Sequence, residues 1–253
     1  MKAVKFEVHD KVGVLRLNRS TTNPLNLEFL KEIAKNLKII KNDNLVTGLV
    51  LTGNNDKFFS IGFDIPLLFK QSKDEVKSFY ETFNRLCLDL YTLPKPTVAA
   101  ITGHAIAGGC ILAICCDYRF IAKGRKLMGL NEIKLGIPVP YPADCIIRQL
   151  IGTRNARNVL DTGDFFQPEQ LFQMGMVDRI LNIGQVVPKS IEKARVLGEM
   201  PQDAFGMIKH NRVELVEKQI QKNLKDRERF FLDHWHDKDT RIRLEEAIKK
   251  FKH

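Results

Sequence analysis

Hydrophobic and polar residues alternate at the start of the chain, and two strands are predicted over residues 4–8 and 12–18. The period then changes. After Asn26, a residue type suited to an N-cap, Phe29, Leu30, Ile33, Ala34, Leu37 and Ile40 fall on one helical face. Residues 45–52 form a short apolar run ending at Gly53, the mark of a buried strand. A long amphipathic stretch from Ser72 to Leu93 reads as a helix stopped by Pro94 and Pro96. Residues 97–102 are a further buried strand, and Gly103 turns the chain toward residues 108–116. That segment is apolar on every side, so its helix lies inside the protein. Residues 118–122 are the next strand, and Pro138, Pro140 and Pro142 mark a loop before a helix running to about Leu150. Strands and helices alternate as far as Ile180, which argues for an α/β fold. Beyond Pro188 the pattern is charged and helical. The expected division is a core over residues 1–188 and a helical C-terminal region over 189–253.

With 253 residues and 44% hydrophobic content, the chain is long enough for one well-filled core. No run approaches the roughly 20 apolar residues of a spanning helix, and the first ten residues do not read as a signal peptide. The expectation is a cytoplasmic protein with no membrane partner. Cys87, Cys110, Cys115, Cys116 and Cys145 show no metal-ligand spacing, so buried thiols are expected and no metal. The net charge of +10 suits nucleic acid or a polyanionic small ligand such as coenzyme A. The basic residues are scattered and not interleaved with aromatics, so nucleic acid is not the expected partner.

Three places carry candidate chemistry. Gly108 and Gly109 open the buried helix, whose first N–H groups have no intrahelical acceptor and sit at the positive end of its dipole. An oxyanion placed there would be stabilised, although two glycines also serve plain close packing. In the loop after Gly53, Gly62 allows a backbone angle that turns the Phe63 N–H toward a ligand; an ordinary loop with core-plugging phenylalanines is the alternative. Glu132 sits among Met128, Leu130, Ile133, Leu135 and Ile137, a setting that raises a carboxyl pKa toward acid–base use. A surface glutamate at a strand end fits the same spacing. His104 reads as structural, and Asp144 either caps a helix or faces the same cleft as Glu132.

At these residues the chain resembles the enoyl-CoA hydratase/isomerase (crotonase) superfamily. The residues from Phe59 through Ser60, Ile61, Gly62, Phe63 and Asp64 to Ile65 are similar to its first oxyanion-hole motif. Pro96 to Gly103, then Ala107 to Cys110, closed by Cys116 and Asp117, are similar to the second. Asp161 to Gly163 and Glu169 to Asp178 resemble its downstream signature. The resemblance implies a crotonase-like (ClpP/crotonase) spiral of ββα units with a helical C-terminal region that forms a homotrimer or hexamer. It implies that the Phe63 and Gly108 amides hold a thioester oxygen, with Leu25, Ile61, Gly62, Asp64, Ile65 and Ile111 around the substrate. Hydratases of the family carry two glutamates; here Ile111 stands at the first position and Glu132 at the second. A pair of carboxylates splits water across a double bond, whereas a proton shift needs only one. With Asn23 to Leu30 and Gly129 to Ile137, the likeness extends to mitochondrial-type Δ3,Δ2-enoyl-CoA isomerases. It implies that Glu132 shuttles a proton on a 3-enoyl-CoA with no cofactor beyond the CoA of the substrate. The alternatives are a hydratase or thioester hydrolase of the same family, or an RNA-binding member of it.

Overall fold

The computed structural model describes residues 2–250. Strands β1 (Val4–His9) and β2 (Val12–Leu17) form an antiparallel hairpin. Helix α1 (Leu27–Asn42) follows, with the Asn26 side chain accepting the Phe29 N–H at 3.0 Å, the cap its sequence announces.

A ββα unit then repeats. In the first, β3 (Gly48–Gly53) and β4 (Phe58–Ser60) lead through the short α2 (Ile65–Leu68) into α3 (Lys73–Tyr91). A reciprocal Ser72–Glu75 capping box starts α3. The second unit is β5 (Thr97–Ile101), β6 (His104–Ile106) and α4 (Gly108–Ile114). In the third, β7 (Tyr118–Ala122) and β8 (Met128–Gly129) lead through one 3-10 turn, Glu132–Leu135, into α5 (Tyr141–Thr162). Non-helical Gly152 breaks α5, which accounts for the expected end near Leu150; the helix resumes beyond it.

The first strand of each unit joins one sheet and the second joins another. After α5 come β9 (Phe165–Phe166), α6 (Pro168–Gln173) and β10 (Arg179–Leu181). The six-stranded sheet runs β1-β2-β3-β5-β7-β10, parallel from β2 onward; the other runs β4-β6-β8-β9, parallel except for β9. The short strands β4, β6 and β8 are absent from the sequence-based prediction. Two or three residues carry no measurable period, and only the neighbouring strands define them.

Alternation along the six-stranded sheet separates two cores. Leu15, Leu49, Leu51, Ala99, Ile101 and Ile121 face the main core. Val12, Val14, Val50, Val98, Ala100, Phe120 and Ala122 face Val186 and Ala194 of α7 (Ile183–Gly198). The expected boundary at residue 188 therefore lies inside a helix packed on the sheet, and α7 is one piece with the core. The helices beyond it are α8 (Gln202–Trp235) and α9 (Lys238–Lys250). A buried ion pair anchors α8: Lys209 Nζ donates to Asp117 Oδ2 at 2.8 Å, and the same oxygen accepts the Thr97 N–H at 2.8 Å. No helix among the described residues is long and apolar enough to cross a membrane, and all five cysteines are buried and free.

Candidate active site

The candidate site lies just past the C-terminal ends of the three parallel strands β4, β6 and β8. After β4, Leu25 and Phe63 form an isolated parallel bridge: the Leu25 N–H donates to Gly62 O at 2.7 Å and the Asp64 N–H to Leu25 O at 2.9 Å. This pairing uses the amides on either side of Phe63 and turns its own N–H away from Leu25. Gly62 has φ +87°, and a Cβ there would lie 2.7 Å from the Gly108 nitrogen, so only glycine brings the two segments this close. After β6, Ala107 has φ 48° and ψ −121°, a strained conformation for a non-glycine residue, and it directs the chain abruptly into α4. Phe63 and Gly108 are adjacent in space, and among the described residues neither amide donates to a protein acceptor.

After β8, Glu132 begins the 3-10 turn. It is 4% exposed, and its Oε2 has no hydrogen-bond partner. Burial pushes its carboxyl from the ordinary 4.5 up to about 7, with a backbone hydrogen bond opposing. The reading as an exposed strand-end glutamate is thus replaced by a buried acid on a turn, with one carboxyl oxygen left without a partner.

Glu132 and Phe63 line a largely apolar cavity of about 530 Å³, together with Ile61, Asp64, Ile65, Pro24, Ile106, Asn131, Ile137 and Phe165 among others. Asp64 is not a second free carboxylate: its Oδ2 accepts from Arg19 at 2.8 Å, and its Oδ1 accepts the Leu67 N–H and caps α2. Ile111 and Leu25, expected around the substrate, are not in the cavity wall. Both are fully buried in the main core, Ile111 one turn inside α4 and Leu25 behind Gly108. Gly62 and Gly108 likewise shape the wall from behind. Pro24, Ile106, Asn131 and Phe165 are cavity residues the sequence pattern did not single out, because only the approach of the strand ends brings them together.

His104 lies outside the cavity. Its Nδ1 accepts the Leu127 N–H at 2.9 Å, and burial with Lys126 and Arg125 nearby lowers its pKa, so a structural histidine is what the chain holds. Asp144 is also elsewhere, in the first turn of α5, making a two-pronged ion pair with Arg148 at 2.8 and 2.9 Å. It neither caps the helix nor enters the cavity. No group of three or more His, Cys, Asp and Glu among the described residues is arranged to hold a metal.

A sequence model of the enoyl-CoA hydratase/isomerase family matches residues 7–253. Enoyl-CoA delta isomerase 1, mitochondrial, of Mus musculus is 35% identical over 180 residues, 71% of this chain and 62% of that protein. Crotonyl-CoA hydratase of Syntrophomonas wolfei is 32% identical over 185 residues, 73% of this chain and 71% of that protein. The match thus spans about six-tenths of the mouse protein's length. Human mitochondrial Δ3,Δ2-enoyl-CoA isomerase has a crystal structure that superposes with a TM-score of 0.95 at 27% identity, over 99% of this chain and 98% of that one. The repeated ββα units, the strand-end cavity and these similarities agree: the chain belongs to the enoyl-CoA hydratase/isomerase family and has the crotonase fold.

Proposed function

We propose that the protein is an acyl-CoA isomerase that moves the double bond of a 3-enoyl-CoA to the trans-2 position. The observation that carries this reading is the buried Glu132 carboxyl, its Oε2 without a partner, held near pKa 7 in an apolar cavity lined by Phe63, with Gly108 close behind that wall. The ionised carboxylate takes a proton from C2, and the electrons move onto the thioester oxygen, where the two N–H groups stabilise the dienolate. The same carboxyl then returns the proton to C4, leaving the double bond between C2 and C3. A pKa near 7 suits a group that must both accept and donate at neutral pH. Ile61, Ile65 and Ile137 supply apolar contact for the acyl chain. The reaction consumes no cofactor; the CoA is part of the substrate. Met207, Ile208 and Leu215 are exposed apolar residues of α8, and they support association into a homotrimer or hexamer.

The hydratase reading, drawn from the Syntrophomonas relative, needs a second carboxylate to hold water. Asp64 is tied to Arg19, and Ile111 stands where that carboxylate would be. The two readings separate when the protein is incubated with 3-hexenoyl-CoA and 2-hexenoyl-CoA in separate reactions. Ultraviolet absorbance should rise with the first as conjugation forms and stay unchanged with the second. A rapid fall with the second would overturn the isomerase reading in favour of hydration.

A further inference from the structure

Helix α9 touches both walls of the cavity at once. Its start is fixed by Asp237, whose Oδ2 accepts the Asp239 N–H at 3.0 Å and whose carbonyl accepts the Arg241 N–H at 2.9 Å. Two consecutive side chains then reach in different directions. Thr240, 4% exposed, donates from Oγ1 to Gly136 O at 3.1 Å. Gly136 closes the turn that carries Glu132: its N–H donates to Ile133 O at 3.1 Å, and the next N–H, of Ile137, donates to Glu132 O at 3.2 Å. Arg241 instead donates from Nη2 to Phe69 O at 2.8 Å, with its guanidinium carbon 3.4 Å from the centre of the Phe69 ring. The Phe69 N–H donates to Ile65 O at 2.9 Å, so this contact holds the last turn of α2, which starts one residue after Phe63 and Asp64. Leu244, fully buried, seals α9 against the core.

We infer that α9 is a brace that sets the position of the Glu132 carboxyl relative to the Phe63 N–H, with Thr240 and Arg241 as its two positioning residues. The inference rests on the isomerase reading for its kinetic consequence but not for its structural one. A 3-10 turn of four residues has few hydrogen bonds of its own, so it keeps one geometry only when something outside it supplies the constraint. Thr240 supplies a hydrogen bond to its last carbonyl, and Arg241 holds the opposite rim on the same rigid helix. A base displaced by a fraction of an ångström from the carbon it deprotonates loses rate while the substrate still binds.

The test uses Thr240→Val, which removes the donor and keeps the shape, and Thr240→Ser, which keeps the donor. Thr240→Ala gives the same donor loss should the valine variant not fold. With 3-hexenoyl-CoA, Thr240→Val should lower kcat about tenfold with KM within about twofold, and Thr240→Ser should restore most of it. In a Glu132→Gln background, Thr240→Val should lower the residual rate no further, because the residue acts through Glu132. Amide hydrogen exchange at Gly136 and Ile137 should quicken in Thr240→Val, whether or not the substrate is the right one. Unchanged exchange, an unchanged kcat, or an equal loss in both backgrounds would overturn the brace. Absence of turnover in the unmodified protein, with faster exchange in the variant, would instead refute the isomerase reading and leave the brace standing.

Discussion

Glu132 owes its chemistry to burial that a backbone hydrogen bond offsets only in part and that leaves its Oε2 without a donor. Glu132→Gln should keep the fold and lower turnover of 3-hexenoyl-CoA by about 10²–10⁴-fold, the usual contribution of an acid–base group. Retention of most of kcat would remove Glu132 from the mechanism. The base must be ionised to start the reaction, so kcat/KM should rise with pH and level off above about 7. The same shift has a cost in stability. A carboxyl whose folded pKa lies above its unfolded one loses stability as pH climbs from the unfolded value of 4.5 to about 7, and the loss is constant beyond. The shift corresponds to about 3 kcal/mol. Glu132→Gln should therefore be more stable than the parent at pH 8, with the difference vanishing near pH 4, as chemical denaturation at both pH values would show. Ile111 is the contrasting residue. It is wholly buried and outside the cavity wall, so Ile111→Glu should destabilise by about 1–3 kcal/mol and give at most weak hydration of 2-hexenoyl-CoA. Rapid hydration by the unsubstituted protein would overturn this reading of Ile111.

Helix α4 is buried over its whole length, and the place where it touches β4 shows why its second residue is glycine. A Cβ on Gly109 would stand 2.3 Å from the Ser60 carbonyl oxygen, closer than any contact the backbone can relieve without moving. Gly109→Ala should push α4 off β4 and carry the Gly108 amide with it. The expected outcome is a loss of about 1–3 kcal/mol in thermal unfolding, together with a fall in kcat/KM larger than lost folding explains at the assay temperature. Wild-type kinetics in this variant would show that the amide position is not critical. The long elements were legible because their caps and faces are local. Asn26 caps α1 where the pattern places it, α3 begins beside Ser72 as expected, and the buried stripe of α1 is the one its spacing gives, save that Ala34 is half-buried. The 3-10 turn at Glu132 was not legible, because four residues have no period and their geometry comes from Gly136 and its neighbours on α9.

Across the molecule, the net charge of +10 is spread over the surface, and several basic groups are already committed to internal contacts. Lys209 is buried on Asp117, and Lys95 Nζ donates to the Ile40 and Asp43 carbonyls. A charge distributed this way suits a small polyanion better than a nucleic acid. Binding of CoA should weaken only modestly as salt rises. A single-stranded RNA titrated at several salt concentrations should show no sub-micromolar affinity at physiological salt. An RNA-binding surface would instead give tight binding with a log–log slope near −0.7 for each phosphate contact. That result would move the function from catalysis to RNA recognition.

The longer strands and helices, the cap of α1, the buried character of α4 and the candidacy of Phe63, Gly108 and Glu132 were all readable along the chain. Each depends on residues within a turn or two of one another, or on motifs contiguous in sequence. Tertiary structure decided the rest. It placed Ile111 and Leu25 behind the cavity wall, kept Asp144 out of that cavity, and made α7 part of the core. It also brought Thr240 to Gly136 across 104 positions of sequence. These outcomes depend on which surfaces meet when the sheets and helices pack, and a side chain's exposure, partners and pKa are properties of that meeting.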